Sequence, residues 1–225
     1  MGTIGNEGFE VRHAVFDPFE IELFRAEVDR LASSAKGACV RLLAEKSDLF
    51  RELATSEVIR KLIENDLTPV RSILFDKTEE ENWPVLWHQD LTITVTKKKD
   101  VRNYRNWSQK NGVPHVQPPL SVLEQMVTLR IHLDPTPAEN GALRIIPGSH
   151  LSGRMDQSSI RDWTARVEPK VCACEAGDVL LMSPLILHSS PRSAQPSRRR
   201  ILHFEFAIRE SLDSMLRWYE KPPNQ

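Results

Sequence analysis

The chain has 225 residues, enough for one domain with a full core, and its 30 Lys+Arg against 31 Asp+Glu leave a formal net charge of −1. That balance offers no electrostatic reason to expect a nucleic-acid or membrane-surface partner, and no apolar run reaches the roughly 18 residues of a membrane helix. Residues 1–10 lack the basic-then-apolar layout of a secretion signal, and three cysteines (Cys39, Cys172, Cys174) are too few for a disulfide framework, so a reduced, cytoplasmic protein is expected.

The first part of the chain, about 10–66, reads as helical. Asp17-Pro18 opens a segment whose Phe19, Ile21, Leu23, Phe24, Val28 and Leu31 suit an amphipathic helix with proline in its first turn. Further helices are expected over 40–50 and over 56–63, the latter with Ser56 as cap. From about residue 70 the texture changes to short apolar or alternating runs at 70–76, 85–95, 126–134, 142–146, 170–174, 178–187 and 200–208. Seven short strands separated by turn residues predict an antiparallel sandwich or barrel. The segment 96–119 interrupts this rhythm. It begins Lys97-Lys98-Lys99 and carries Arg102, Arg105, Trp107 and His115, and it reads either as a lid or as a solvated insertion.

Trp87-His88-Gln89-Asp90 is the stretch that carries chemistry. In a strand over 85–95, His88 and Asp90 point to the same face. An imidazole and a carboxylate so placed are two of the three ligands of the facial triad that holds non-haem Fe(II) with coordination positions open. The third ligand must be another histidine. His188 ends the run 178–187, where a strand end reaches the mouth of a barrel; His150 and His203 are the alternatives. Arg199 opens the next strand, with Arg198 and Arg200 as neighbours, and its planar fork suits a carboxylate. Ser190, two residues after His188, shares its face if the strand continues. Thr128, Arg130 and His132 form the polar face of 126–134, turned either to solvent or to a pocket.

Three blocks, Trp87-His88-Gln89-Asp90, Asn140-Gly141-Ala142-Leu143-Arg144-Ile145-Ile146-Pro147-Gly148-Ser149-His150, and His188…Arg199-Arg200-Ile201-Leu202-His203, resemble the phytanoyl-CoA dioxygenase family of Fe(II)/2-oxoglutarate oxygenases. The resemblance covers roughly 70–208. It implies a mainly β protein with N-terminal helices and a double-stranded β-helix (jelly-roll, cupin-like) core at about 70–208, within a single domain over 1–225. It also implies iron on His88, Asp90 and His188, with 2-oxoglutarate on Arg199 and Ser190 and O2 as co-reactant. His150 then belongs to a structural turn. A carboxylate at residue 90 fills the place that halide takes in related halogenases, so hydroxylation with release of succinate and CO2 is the expected outcome.

Lys77 is a further candidate for the cosubstrate, and Trp83, Trp107 and Arg130 for a small-molecule substrate. The basic segment Lys97–Arg105 hints that this substrate is anionic. Two other classes share parts of this pattern: a cupin-like isomerase or hydrolase, and a jelly-roll binding protein without catalysis. Neither needs an anchor at Arg199. The sequence carries no signal for substrate identity or oligomeric state.

Overall fold

The computed structural model describes residues 4–32, 39–63, 67–195 and 197–220. The N-terminal part holds β1 (Phe9–Arg12), α1 (Pro18–Ala32), β2 (Cys39–Arg41), α2 (Leu43–Lys46), α3 (Asp48–Ala54) and α4 (Glu57–Ile63). The β-rich part begins with β3 (Thr68–Lys77), β4 (Val85–His88), β5 (Ile93–Thr94), β6 (Arg105–Lys110) and β7 (Val113–Gln117). It continues through α5 (Leu120–Leu123), β8 (Val127–His132), β9 (Leu143–Ile145) and α6 (Gln157–Arg166) to β10 (Lys170–Cys172), β11 (Val179–Met182), β12 (His188–Ser190) and β13 (Arg199–Ala207).

The strands form a six-stranded sheet ordered β1-β11-β8-β13-β3-β2, a four-stranded sheet ordered β10-β9-β12-β4, and a small sheet ordered β5-β7-β6. Pairing is antiparallel throughout these ladders. The two larger sheets are the leaves of a double-stranded β-helix, and one cavity is lined from both.

Alternation along the strands decides which side faces what. On β13, Leu202, Phe204 and Phe206 pack with Leu74, Leu129 and Ile131 against the N-terminal helices. Their neighbours Arg199, Ile201, His203 and Glu205 turn into the cavity. All nine residues of β13 are therefore buried, the charged ones included. Helix α1 supplies Ile21, Phe24, Val28 and Leu31 to the outer layer, each worth about 1.5–3 kcal/mol on full burial. Its start is held by a reciprocal cap, with Glu20 N–H donating to Asp17 Oδ1 at 2.8 Å and Asp17 N–H donating to Glu20 Oε2 at 2.9 Å. At the far end, Leu143 and Ile145 of one leaf meet Leu180 and Met182 of the other.

Several local expectations change. The helix expected over 40–50 is a short strand, then two helices. Leu42 takes a left-handed backbone (φ 60°) between β2 and α2, and Ser47 caps α3 by accepting from Phe50 N–H at 3.3 Å. β2 is a strand because it pairs with β3, a long-range partner that local apolar spacing does not reveal. Within the helical part expected over about 10–66, residues 33–38 and 64–66 lie outside the described residues. The run 85–95 breaks after His88 and resumes at Ile93. The 178–187 run stops at Met182, so His188 begins β12 rather than ending β11. Ser56 does cap α4, accepting from Ile59 N–H at 3.3 Å. The insertion 96–119 contains the β6–β7 hairpin, which extends β5 and helps to cover an apolar cluster of Ile93, Val95, Val116 and Trp218. Strand β1, which was not expected, pairs with β11.

Candidate metal and cosubstrate site

His88 is the last residue of β4 and His188 the first of β12, and the two are directly paired across the ladder. Their rings tilt at 51° with centroids 4.2 Å apart. Each ring's Nδ1–H donates to a backbone carbonyl two residues earlier, His88 to Leu86 at 2.8 Å and His188 to Ile186 at 3.0 Å. That choice of tautomer leaves both Nε2 lone pairs free. They face Asp90, whose Oδ1 lies 3.7 Å from His88 Nε2 and whose Oδ2 lies 3.6 Å from His188 Nε2.

Asp90 reaches this position beyond the strand rather than along it. Its backbone N–H donates to Pro184 O at 2.8 Å, and the intervening Gln89 turns the other way. Gln89 donates to Leu185 O at 2.6 Å and Gly153 O at 2.8 Å, and it accepts from Met155 N–H at 2.9 Å. This buried amide bolts the His-x-Asp segment to two other loops. Its appearance on the apolar side of the run was the one signal of it in the sequence.

Two imidazole nitrogens and one carboxylate oxygen, all within 4.8 Å of one another, fit a single divalent cation with open positions. Electrostatics suits the same purpose. Burial pushes the His188 pKa down to about 4 against the pull of Asp90, so the ring is neutral at pH 7. Burial acts to raise the Asp90 pKa, but His188 and His88 outweigh it and hold the carboxyl at about 2.

The cavity beside these ligands has a volume of about 190 Å³. Ser190 and Arg199 line one end. Arg199 donates to Asn140 O at 3.2 Å, to Gly141 O, and from Nη2 to Ser190 Oγ at 3.4 Å. Ser190 Oγ–H donates to Gly141 O at 2.9 Å. Gly141 has φ 70°, and a Cβ there would sit 2.8 Å from Pro191 O and 3.3 Å from Arg199 Nη1. A glycine is thus required where the turn meets the anchor. Among the described residues no carboxylate pairs with Arg199. Its pKa falls to about 10 through burial and the nearby Arg130 cation.

The arginine run resolves by partner. Arg198 forks onto Asp76 at 3.1 and 2.8 Å, and Arg200 forks onto Asp134 at 2.9 and 2.7 Å. Arg199 alone turns inward. Lys77 stands opposite it in the β13–β3 ladder, and Lys77 Nζ donates to Trp83 O at 2.7 Å while lying 4.5 Å from that indole's centroid. Burial, then Arg199 and Arg130, lower the Lys77 pKa to about 8.

Arg130 and His132 face the cavity rather than solvent. Arg130 Nη1–H donates to His203 Nδ1 at 3.1 Å, and His203 Nε2–H lies 3.3 Å from Glu205 Oε1. His203 therefore lines the cavity without joining the metal cluster. His150 sits elsewhere, against Gly8. Of the aromatic candidates, Trp83 backs Lys77 without lining the cavity. Trp107 packs against the cluster around Val116, and Trp87 against Ile146 and Leu187. The sequence reading missed Arg41, Arg71 and Glu205, all of which line the cavity. Arg71, Ile73, Phe75 and Lys77 alternate along β3, so the period of two could have found the first of them.

The fold is shared with known proteins. The family model described as "Phytanoyl-CoA dioxygenase (PhyH)" matches residues 6–201. No curated protein matches the sequence. Among solved structures, the epimerase SnoN in complex with Fe3+, alpha ketoglutarate and nogalamycin RO is 18% identical with a TM-score of 0.72, covering 91% of this chain and 80% of that one. The non-heme alpha ketoglutarate dependent carbocyclase SnoK from nogalamycin biosynthesis is 18% identical with a TM-score of 0.68, covering 91% and 81%. HygX from Streptomyces hygroscopicus, with nickel and 2-oxoglutarate bound, is 20% identical with a TM-score of 0.63, covering 90% and 83%. At these identities the likeness is one of fold.

Proposed function

The chain belongs to the phytanoyl-CoA dioxygenase family, and on that premise we propose that it is an Fe(II)- and 2-oxoglutarate-dependent oxygenase hydroxylating a small organic molecule. His88, Asp90 and His188 would hold the iron, and Arg199, Ser190 and Lys77 the far carboxylate of 2-oxoglutarate. With 2-oxoglutarate and O2, the bound metal supplies the oxidising power for a substrate C–H bond, releasing succinate and CO2.

The chain's own residues do the rest. The carbonyls of Leu86 and Ile186 fix each imidazole's tautomer and ring plane. Gln89 sets the loop on which Asp90 sits. Arg199 and Ser190 orient the cosubstrate from a direction that leaves the metal side of the cavity to substrate. We assign the whole chain to one functional unit, because Arg41 of the N-terminal part and Arg199 near the other end line the same cavity.

One observation carries this reading: a single cavity holds a three-donor metal cluster and a buried guanidinium with no carboxylate partner among the described residues. A binding module has no use for both.

The test is anaerobic reconstitution with Fe(II) and 2-oxoglutarate, followed by O2 and a metabolite screen. We expect 2-oxoglutarate-dependent succinate formation, stimulated by substrate, and one atom of labelled oxygen in the product. Protein that binds iron and 2-oxoglutarate yet forms no succinate under any of these conditions would overturn it.

A further inference from the structure

Five cationic side chains (Arg41, Arg71, Lys77, Arg130, Arg199) and two carboxylates (Asp90, Glu205) line the cavity, a net charge of +3 with its histidines neutral. The chain as a whole carries −1, so this excess is local. Fe(II) and doubly ionised 2-oxoglutarate cancel each other, so loading the site as proposed above leaves the +3 in place. A low-dielectric cleft concentrates such a field on whatever enters it.

The cations fall into two groups. Lys77 and Arg199 face each other at one end of the β3–β13 ladder. Arg41 stands opposite Ile73 in the β2–β3 ladder, and Arg71 lies two residues further along. Lys77 and Ile73 are four residues apart on β3, so at ~3.3 Å per residue the backbones of Arg41 and Arg199, which flank β3 on opposite sides, are offset by about 13 Å along it. The two arginines thus enter the cavity from opposite flanks of β3, well separated along that strand.

Arg71 is already engaged, donating to Glu205 Oε1 at 2.9 Å and Thr92 O at 3.2 Å. Arg41 is not. It makes no ion pair or side-chain hydrogen bond with any partner among the described residues, and it is only partly exposed. Lys110, from the β6–β7 hairpin, is exposed and does not line the cavity, although burial, then Arg41 and Arg71, depress its pKa. The lysines and arginines at 97–105, which in the sequence hinted at an anionic substrate, do not line the cavity.

We propose that Arg41, seconded by Arg71, is a recognition site for an oxyanion on the substrate, a carboxylate or phosphate monoester, at the end of the cavity remote from Arg199. This deepens the proposed function, since it names the substrate class of the same site.

The experiment is calorimetric titration of the full-length protein, anaerobic and saturated with Fe(II) and 2-oxoglutarate. The probes are benzoate, phenyl phosphate and the uncharged isostere benzamide. An unpaired guanidinium fork should favour an oxyanion over the amide by about tenfold or more. Arg41→Gln should erase that preference while 2-oxoglutarate affinity stays within about twofold, and Arg41→Lys should keep part of it. Lys97→Gln, outside the cavity, should change nothing. The ratio of benzoate to phenyl phosphate affinity identifies which oxyanion the site prefers. Equal binding of benzoate and benzamide, absence of binding by both oxyanions, or a preference that survives Arg41→Gln would overturn the proposal. Failure of the underlying reading has a different signature, namely no 2-oxoglutarate binding at all. The Arg41-dependent preference is then read in the Arg199→Gln variant, where the anchor cannot capture the probe.

Discussion

His88 and His188 sit opposite each other in the β4–β12 ladder, with ring centroids 4.2 Å apart and both Nε2 atoms turned to Asp90. The two imidazoles come from distant parts of the chain, and only strand pairing joins them. Asp90 is then set not by the strand but by its own backbone bond to Pro184 and by the three hydrogen bonds of Gln89. The coordination geometry therefore depends on a residue that contributes no ligand atom.

Gln89→Ala tests that dependence. It removes three hydrogen bonds and leaves buried backbone partners unsatisfied, a cost of about 2–4 kcal/mol. We expect a lower denaturation midpoint together with weaker Fe(II) binding, followed by metal titration. Metal affinity equal to wild type would show that the loop holds Asp90 without Gln89.

Arg199 and Arg200 are adjacent and face different surroundings, so their variants should separate. Arg199→Gln should weaken 2-oxoglutarate binding by about a hundredfold through loss of a charged fork, with Fe(II) affinity retained. Asp134→Ala, which leaves the buried Arg200 only its longer contact to Asp29 at 3.4 Å, should cost about 3 kcal/mol of stability instead. Thermal melts and cosubstrate titrations on both proteins read the two effects.

Gly141→Ala forces a side chain into a left-handed position against Pro191 O and the Arg199 guanidinium. Destabilisation of about 1–2 kcal/mol is expected from the backbone alone. Cosubstrate affinity should fall as well, because Gly141 O accepts from both Arg199 and Ser190.

Acid sensitivity follows from the buried imidazoles. Burial, then Arg130 and Arg199, push the His132 pKa down to about 3, and burial also lowers that of His203. The unfolded chain then binds more protons than the folded one between about pH 6.5 and pH 3, so folded stability rises with pH across that window and is lost on acidification. Melting temperature measured from pH 7 to pH 4 should fall steadily, and His132→Gln should flatten the slope.

Glu220 behaves in the opposite sense. Burial raises its pKa to about 7 against the hydrogen bonds from Ser72 N–H at 2.8 Å and from Ser72 Oγ–H. The folded state here holds the extra proton, so this group's stabilising effect is present below about pH 4.5 and lost as pH rises through about 7. Glu220→Gln should raise the melting temperature at pH 8 relative to wild type, with the gain shrinking by pH 6.

By themselves composition and strand alternation pointed to an antiparallel β core and to the His88/Asp90 pair, while the double-stranded β-helix, His188 and Arg199 came with the resemblance of three sequence blocks to a known family. Apolar spacing is written locally because a pleated strand alternates, whereas Asp90 lies beyond the end of β4 and is placed by its bond to Pro184 O and by the hydrogen bonds of Gln89. Alternation also showed that Arg130 and His132 share a face. Tertiary structure decided what covers that face, because solvent and cavity impose the same alternation. Pairing across the sheets also decided that Arg198 and Arg200 find carboxylates while Arg199 does not, and that Arg41 belongs to a strand beside the cavity rather than to a helix. These are matters of register between distant segments, set by the sum of many long-range contacts.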